Sequence, residues 1–122
     1  NANTYTFTVT NASGCTSPSS TNIIVSAQPS TPSAPTVGAI TQPTCTTATG
    51  SFQITGYNAA NTYTFNPGVL SISASGLVTA NANTYTFTVT NASGCTSPSS
   101  TNIIVSAQPS TPSAPTVGAI IQ

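Results

Sequence analysis

Asn1 through Ile40 recur letter for letter as Asn81 through Ile120, so the chain holds one and a half copies of an 80-residue unit. That period constrains the fold more than any other feature. Solenoid rungs repeat at about 20–50 residues, whereas 80 residues suit a small independent domain. Whatever one copy does, the next copy does too, and arrays of that kind are built for length and surface. The expectation is a window from a longer tandem array.

The second constraint is chemical. Among 122 residues there is no Lys, Arg, Asp, Glu or His, where an ordinary soluble domain carries about 25% charged residues. General acid–base catalysis needs a group titrating near working pH, and only Cys and Tyr side chains titrate here. A Ser or Thr nucleophile would lack its base. Metal sites would have only hydroxyls, amides, carbonyls and three cysteines to draw on. Nucleic acid is bound mainly through cations on phosphates, so it is not an expected partner. No apolar run reaches the length of a membrane span. The sequence therefore predicts no enzyme, no cofactor and no metal.

Proline marks the joints. Gln28 to Pro35 and its twin Gln108 to Pro115 hold three prolines in eight residues and read as semi-rigid linkers. The expected layout is the C-terminal part of a preceding repeat over 1–27, a linker over 28–35 and a complete repeat over 36–107. A second linker over 108–115 and the start of the next repeat over 116–122 complete it. Inside the complete repeat only strands are predicted. Thr84 to Thr90 alternates Tyr85, Phe87 and Val89 against four threonines, giving one dry and one wet face. Ser51 to Thr55 and Thr62 to Phe65 alternate likewise, Val69 to Ser73 and Leu77 to Thr79 are short strands, Asn102 to Ser106 closes, and Val37 to Thr41 (again Val117 to Ile121) opens. Gly56, Asn66-Pro67-Gly68, Gly76 and Asn91 to Gly94 supply turns. The prediction is an all-β fold: immunoglobulin-like β-sandwich modules of about seven strands in tandem, joined by Pro-rich linkers. The expected core is Phe52, Ile54, Tyr63, Phe65, Leu70, Ile72, Tyr85, Phe87, Val89, Ile103 and Val105, with one of Leu77 or Val78.

So small a core calls for reinforcement. A Cys45–Cys95 disulfide is expected, with Cys15, the counterpart of Cys95, bonded to a cysteine upstream. Closing about 50 residues is worth roughly 4 kcal/mol in the chain-entropy model and implies an oxidising compartment. Two buried thiols, or Cys15–Cys45 pairing across the linker, are the alternatives.

Gln42-Pro-Thr-Cys45, Ala48-Thr-Gly-Ser-Phe52 and Asn83 to Asn91 leading to Gly94-Cys95, in that order and spacing, resemble the immunoglobulin-like repeats of giant secreted adhesins and surface filaments of Bacteroidota, including the gliding-motility adhesin group. The resemblance covers the whole repeat. The resemblance implies export to the cell surface by a type 9 route, attachment or movement over surfaces, and the same cysteine bridge. The missing charges depart from many relatives and remove any acidic calcium loop.

Two functions are consistent with these residues. One is an extracellular stalk or filament segment whose partners are neighbouring repeats of the same chain and like filaments, with strand donation between chains as a variant, since the edges lack blocking lysines. The other is a repeated weak module for surface polysaccharide acting by avidity, which would need exposed aromatics with amide partners. Asn91-Ala-Ser93 fits a glycosylation sequon and equally a hairpin turn. Tyr85 is placed either as a core residue or as a tyrosine corner.

Overall fold

The structure, a computed structural model, describes residues 1–121. It divides into two compact units, the first ending at Ser30 and the second beginning at Thr31. Two short strands, β1 (Asn3–Tyr5) and β2 (Ile23–Val25), pair in the first unit. The second holds β3 (Val37–Thr41), β4 (Gly50–Ile54), β5 (Thr62–Asn66), β6 (Leu77–Ala80), β7 (Asn83–Thr90) and β8 (Ile103–Val105). All pairings are antiparallel, in sheets of order β3-β4-β6 and β5-β7-β8. The described residues are all-β, and no helix among them is long and apolar enough to cross a membrane.

Alternation explains why these segments become strands. In β4, Phe52 and Ile54 point inward while Gln53 faces solvent. In β7, Tyr85, Phe87 and Val89 are buried between half-buried threonines, as expected for β-branched residues on the wetter face of a central strand. The two sheets share one core of Phe52, Ile54, Val78 and Ala80 on one side and Phe65, Tyr85, Phe87, Val89, Ile103 and Val105 on the other. The Phe52 and Phe65 rings meet across it, 6.4 Å apart. Of the alternative between Leu77 and Val78, Val78 takes the core and Leu77 faces out. Tyr63, Leu70 and Ile72 pack against the core from its margin. Ala80 is a buried residue that alternation over Leu77 to Thr79 stopped one position short of finding.

Two expected strands are absent. Val69 to Ser73 forms only a bridge from Ile72 to Val78, and Val69 is almost fully exposed. The segment follows the Asn66-Pro67-Gly68 turn, where Gly68 has φ 75°. Val117 to Ile121 is irregular and exposed although Val37 to Ile40 has the same sequence. The difference is a partner: Val37 pairs with Ile54 and Ile40 with Phe52. The complete copy thus has six strands where about seven were expected.

The duplication supplies an internal control. Tyr5, Phe7 and Val9 are 43%, 58% and 61% exposed, while their twins Tyr85, Phe87 and Val89 are 5%, 1% and 7% exposed. Local hydrogen bonding is nonetheless alike: Ser17 N–H donates to the Val9 carbonyl as Ser97 N–H does to that of Val89. Local structure is therefore written in the 27 residues themselves, and burial is conferred by what the complete copy packs onto them.

Candidate functional site

The complete copy offers two ends. Its chain comes in at Pro35 and Thr36, where Thr36 accepts a hydrogen bond from Thr55 N–H. Pro35, Thr36, Ile54, Tyr63 and Val89 surround a shallow cavity of about 190 Å³ there. We call this the inlet end. The chain leaves past Val105, which pairs with Asn83 at the other end of β7. There the Gln42 amide clasps the end of β8, donating to the Ile104 carbonyl at 2.9 Å and accepting from Ser106 N–H at 2.8 Å. Those two bonds join the β3 side of the sandwich to the β8 edge. Gly50 is needed beneath them, since a Cβ would fall 2.7 Å from the Thr41 carbonyl oxygen and 2.8 Å from Val105. This is the outlet end.

The cysteines occupy these ends separately. Cys45 lies in the Thr44–Thr47 turn at the outlet end, exposed, its carbonyl accepting from Gln108 Nε2 at 3.1 Å. Cys95 follows the Asn91–Gly94 turn at the inlet end, half-buried, its N–H donating to Asn91 Oδ1 at 3.0 Å. Cys15 repeats that turn with Asn11 at 2.9 Å. Among the described residues no disulfide joins any two cysteines. The expected Cys45–Cys95 bridge is not formed in this structure, which places the two cysteines at opposite ends of β7. The eight residues of β7 separate the two ends by roughly 23 Å at about 3.3 Å per residue, and a disulfide needs Cα atoms within about 7 Å. Nor are Cys45 and Cys95 two buried thiols, because Cys45 is exposed.

Asn91 Oδ1 accepts from both Ser93 N–H and Cys95 N–H, so this side chain builds the turn, as the second reading of the sequon required. Tyr85 is buried, and its hydroxyl donates to the Asn81 carbonyl at 3.1 Å.

The inlet end also carries an aromatic pair that sequence analysis left apart. Tyr57 and Tyr63 stack with centroids 5.2 Å apart and planes at 27°. The Tyr63 hydroxyl accepts from Asn58 N–H and donates to the Asn58 carbonyl, and Asn61 lines the neighbouring cavity. Tyr63 leans on Phe87 behind it, so the pair also caps the core. The signal was present in the six-residue spacing of two tyrosines flanking Asn58 and Asn61, but only the turn between β4 and β5 brings the rings together.

Ser97 and Ser100 were missed as well. Both are buried. Each hydroxyl accepts from a β7 amide, Ser97 from Val89 and Ser100 from Phe87, and donates back to the carbonyl of the following residue, Pro98 or Thr101. These side chains continue the ladder between β7 and β8 where Pro98 cannot. No known protein-family model matches the chain, and no curated protein does.

Proposed function

We propose that the chain is a non-catalytic structural segment of a long extracellular stalk or surface filament, made of immunoglobulin-like modules in tandem. The observation that carries this reading is that the complete copy receives its chain at one end of the sandwich and releases it at the other. A unit built that way adds length whenever it is repeated; one whose termini met would add only bulk. With β7 as the long axis and a short joint, each copy contributes about 35–40 Å.

Connectivity supports the immunoglobulin-like reading. The chain alternates between sheets, with β3, β4 and β6 in one and β5, β7 and β8 in the other. That is the order of strands A, B and E against C, F and G in a constant-type immunoglobulin sandwich. The Tyr85 hydroxyl bond to the backbone four residues upstream at the start of β7 fits a tyrosine corner and supports the same reading. Placement outside the cell and a role in adhesion are supported by the resemblance to adhesin repeats. The test is microscopy of chains of two, four and six copies. Threads lengthening in equal steps support the stalk; compact particles refute it.

The stacked Tyr57–Tyr63 pair with Asn58 and Asn61 favours a second reading, a weak polysaccharide site repeated for avidity. Binding of a multi-copy chain to a glycan array, lost in Tyr57→Ala, would support it. A blank array would leave the pair as a cap on the core.

A further inference from the structure

The duplication shows the same apolar face twice, once covered and once open. Tyr85, Phe87 and Val89 lie buried in one core with Phe52, Phe65 and Val78, whereas Tyr5, Phe7 and Val9 present the same side chains exposed. We propose that residues 1–27 are a preformed docking face for residues 36–80 of a second molecule of this chain, so that copies are linked by shared sandwiches. The docking requires the duplication alone; it goes beyond the stalk reading and does not depend on it.

The open face is already shaped for its partner. Tyr5 stands opposite Ile23 in β1 and β2 as Tyr85 stands opposite Ile103 in β7 and β8. Ser20 Oγ accepts from Phe7 N–H at 3.1 Å, and Ser100 Oγ from Phe87 N–H at 3.0 Å. Ser17 Oγ accepts from Val9 N–H at 3.0 Å, and Ser97 Oγ from Val89 N–H at 2.9 Å. The Tyr5 hydroxyl donates to the Asn1 carbonyl at 3.0 Å, matching the Tyr85 bond to Asn81 at 3.1 Å. A surface whose backbone is set in advance loses little freedom on binding, which is what preorganisation contributes to affinity.

The covered twin specifies the occupant. β5 lies beside β7 with Phe65 opposite Phe87 and Tyr63 opposite Val89, and the two phenylalanine rings are 5.2 Å apart. Residues 6–9 belong to no strand, although they repeat the sequence of residues 86–89. Docking would lay β5 of the second molecule beside them, with Phe65 opposite Phe7 and Tyr63 opposite Val9. Neither surface carries a charged side chain that would repel an incoming strand.

A molecule's own residues 36–80 cannot take that place while their joint is seated. In such a sandwich the chain would leave past Val25 at the outlet end and have to return to Thr36 at the inlet end. The eight residues of β7 set those ends roughly 23 Å apart at about 3.3 Å per residue. Pro32 is held at the inlet cavity, and the roughly six steps from Ser26 to Pro32 reach only about 19 Å at about 3.1 Å each. Between molecules there is no such limit. Exchange conserves contacts, because each docked segment leaves an identical face, residues 81–107, open in its donor. Exchange of identical elements is for that reason a low-cost route to association. Only Asn81 and Ala82 connect β6 to β7, so a molecule's own pairing prevails in dilute solution and crowding of copies favours exchange.

The test is the full chain carrying Phe87→Asp and Val89→Asp, which denies residues 36–80 their own partner. Sedimentation is expected to show a concentration-dependent dimer or longer assembly where the parent chain is a monomer. In that assembly the Phe7 and Val9 amide resonances should take the positions that Phe87 and Val89 have in the parent. Adding Phe7→Asp is expected to abolish the assembly. An unfolded double variant would overturn the proposal, because residues 1–27 carry every side chain of 81–107 and should restore the fold in a second molecule. A folded monomer would overturn it too, since residues 1–27 would then have closed on their own chain. A second measurement adds a peptide of residues 36–80 to the unaltered chain. One-to-one binding that moves the Phe7 and Val9 resonances onto those of Phe87 and Val89 supports the docking face; no binding, or shifts confined to other residues, refutes it.

Discussion

Ser100 shows how much of this module depends on single polar atoms. Its hydroxyl accepts the Phe87 N–H in the buried core, where water cannot substitute. Ser100→Ala is expected to destabilise the complete copy by about 1–3 kcal/mol, the cost of an orphaned buried donor. The same change at Ser20, whose bond to Phe7 N–H is exposed, should cost almost nothing; chemical denaturation of the two variants measures the contrast. Gly76 makes a second pair with Gly94. Both have positive φ, but a Cβ at Gly76 would lie 2.5 Å from Tyr57 Cβ, while at Gly94 nothing lies within 4 Å. Gly94→Ala should cost about 1–2 kcal/mol for the left-handed backbone alone, and Gly76→Ala about 2–4 kcal/mol with the clash added, again by denaturation. At this scale the sequence was readable where side chains alternate: Phe52, Ile54, Phe87, Val89 and Ile103 were all placed in the core. It was silent on Ser97 and Ser100, because a Ser-rich stretch around Pro98 signals a turn, and the hydroxyls become core groups only once β7 is alongside. Cys45 and Cys95 show a related limit of spacing. Spacing along the chain says nothing about which end of a sandwich a turn occupies.

Elements tell the same story through the duplication. β3 exists because Phe52 and Ile54 offer it an edge, and residues 117–121 with nearly the same sequence remain irregular. Strand propensity was legible in both; the partner was legible in neither. Val69 to Ser73 failed differently: after the Asn66-Pro67-Gly68 turn it keeps only the bridge from Ile72 to Val78. The two 40-residue twins should therefore give two distinct sets of NMR resonances. Amide exchange at Phe87 and Val89 is expected to be slower than at Phe7 and Val9 by at least about a hundredfold, because buried strand amides open only with the core. Equal exchange rates would mean that the first half-copy is covered after all, by another chain or by its own.

At the scale of the whole molecule, the absence of charged side chains has a plain consequence. With no Lys, Arg, Asp, Glu or His in the chain, the melting temperature should shift by less than about 2 °C between roughly 0.05 and 1 M salt and between about pH 4.5 and 7. Scanning calorimetry across those conditions checks it. A fibre exposed to changing water would keep its mechanics constant by that means. Its extension, however, depends on the placement of inlet and outlet at opposite ends of each copy. The direct test is small-angle scattering from chains of two, four and six copies. The maximum dimension should rise linearly, by about 35–40 Å per copy. Growth with roughly the 0.38 power of chain length, as in a compact globule, would contradict it.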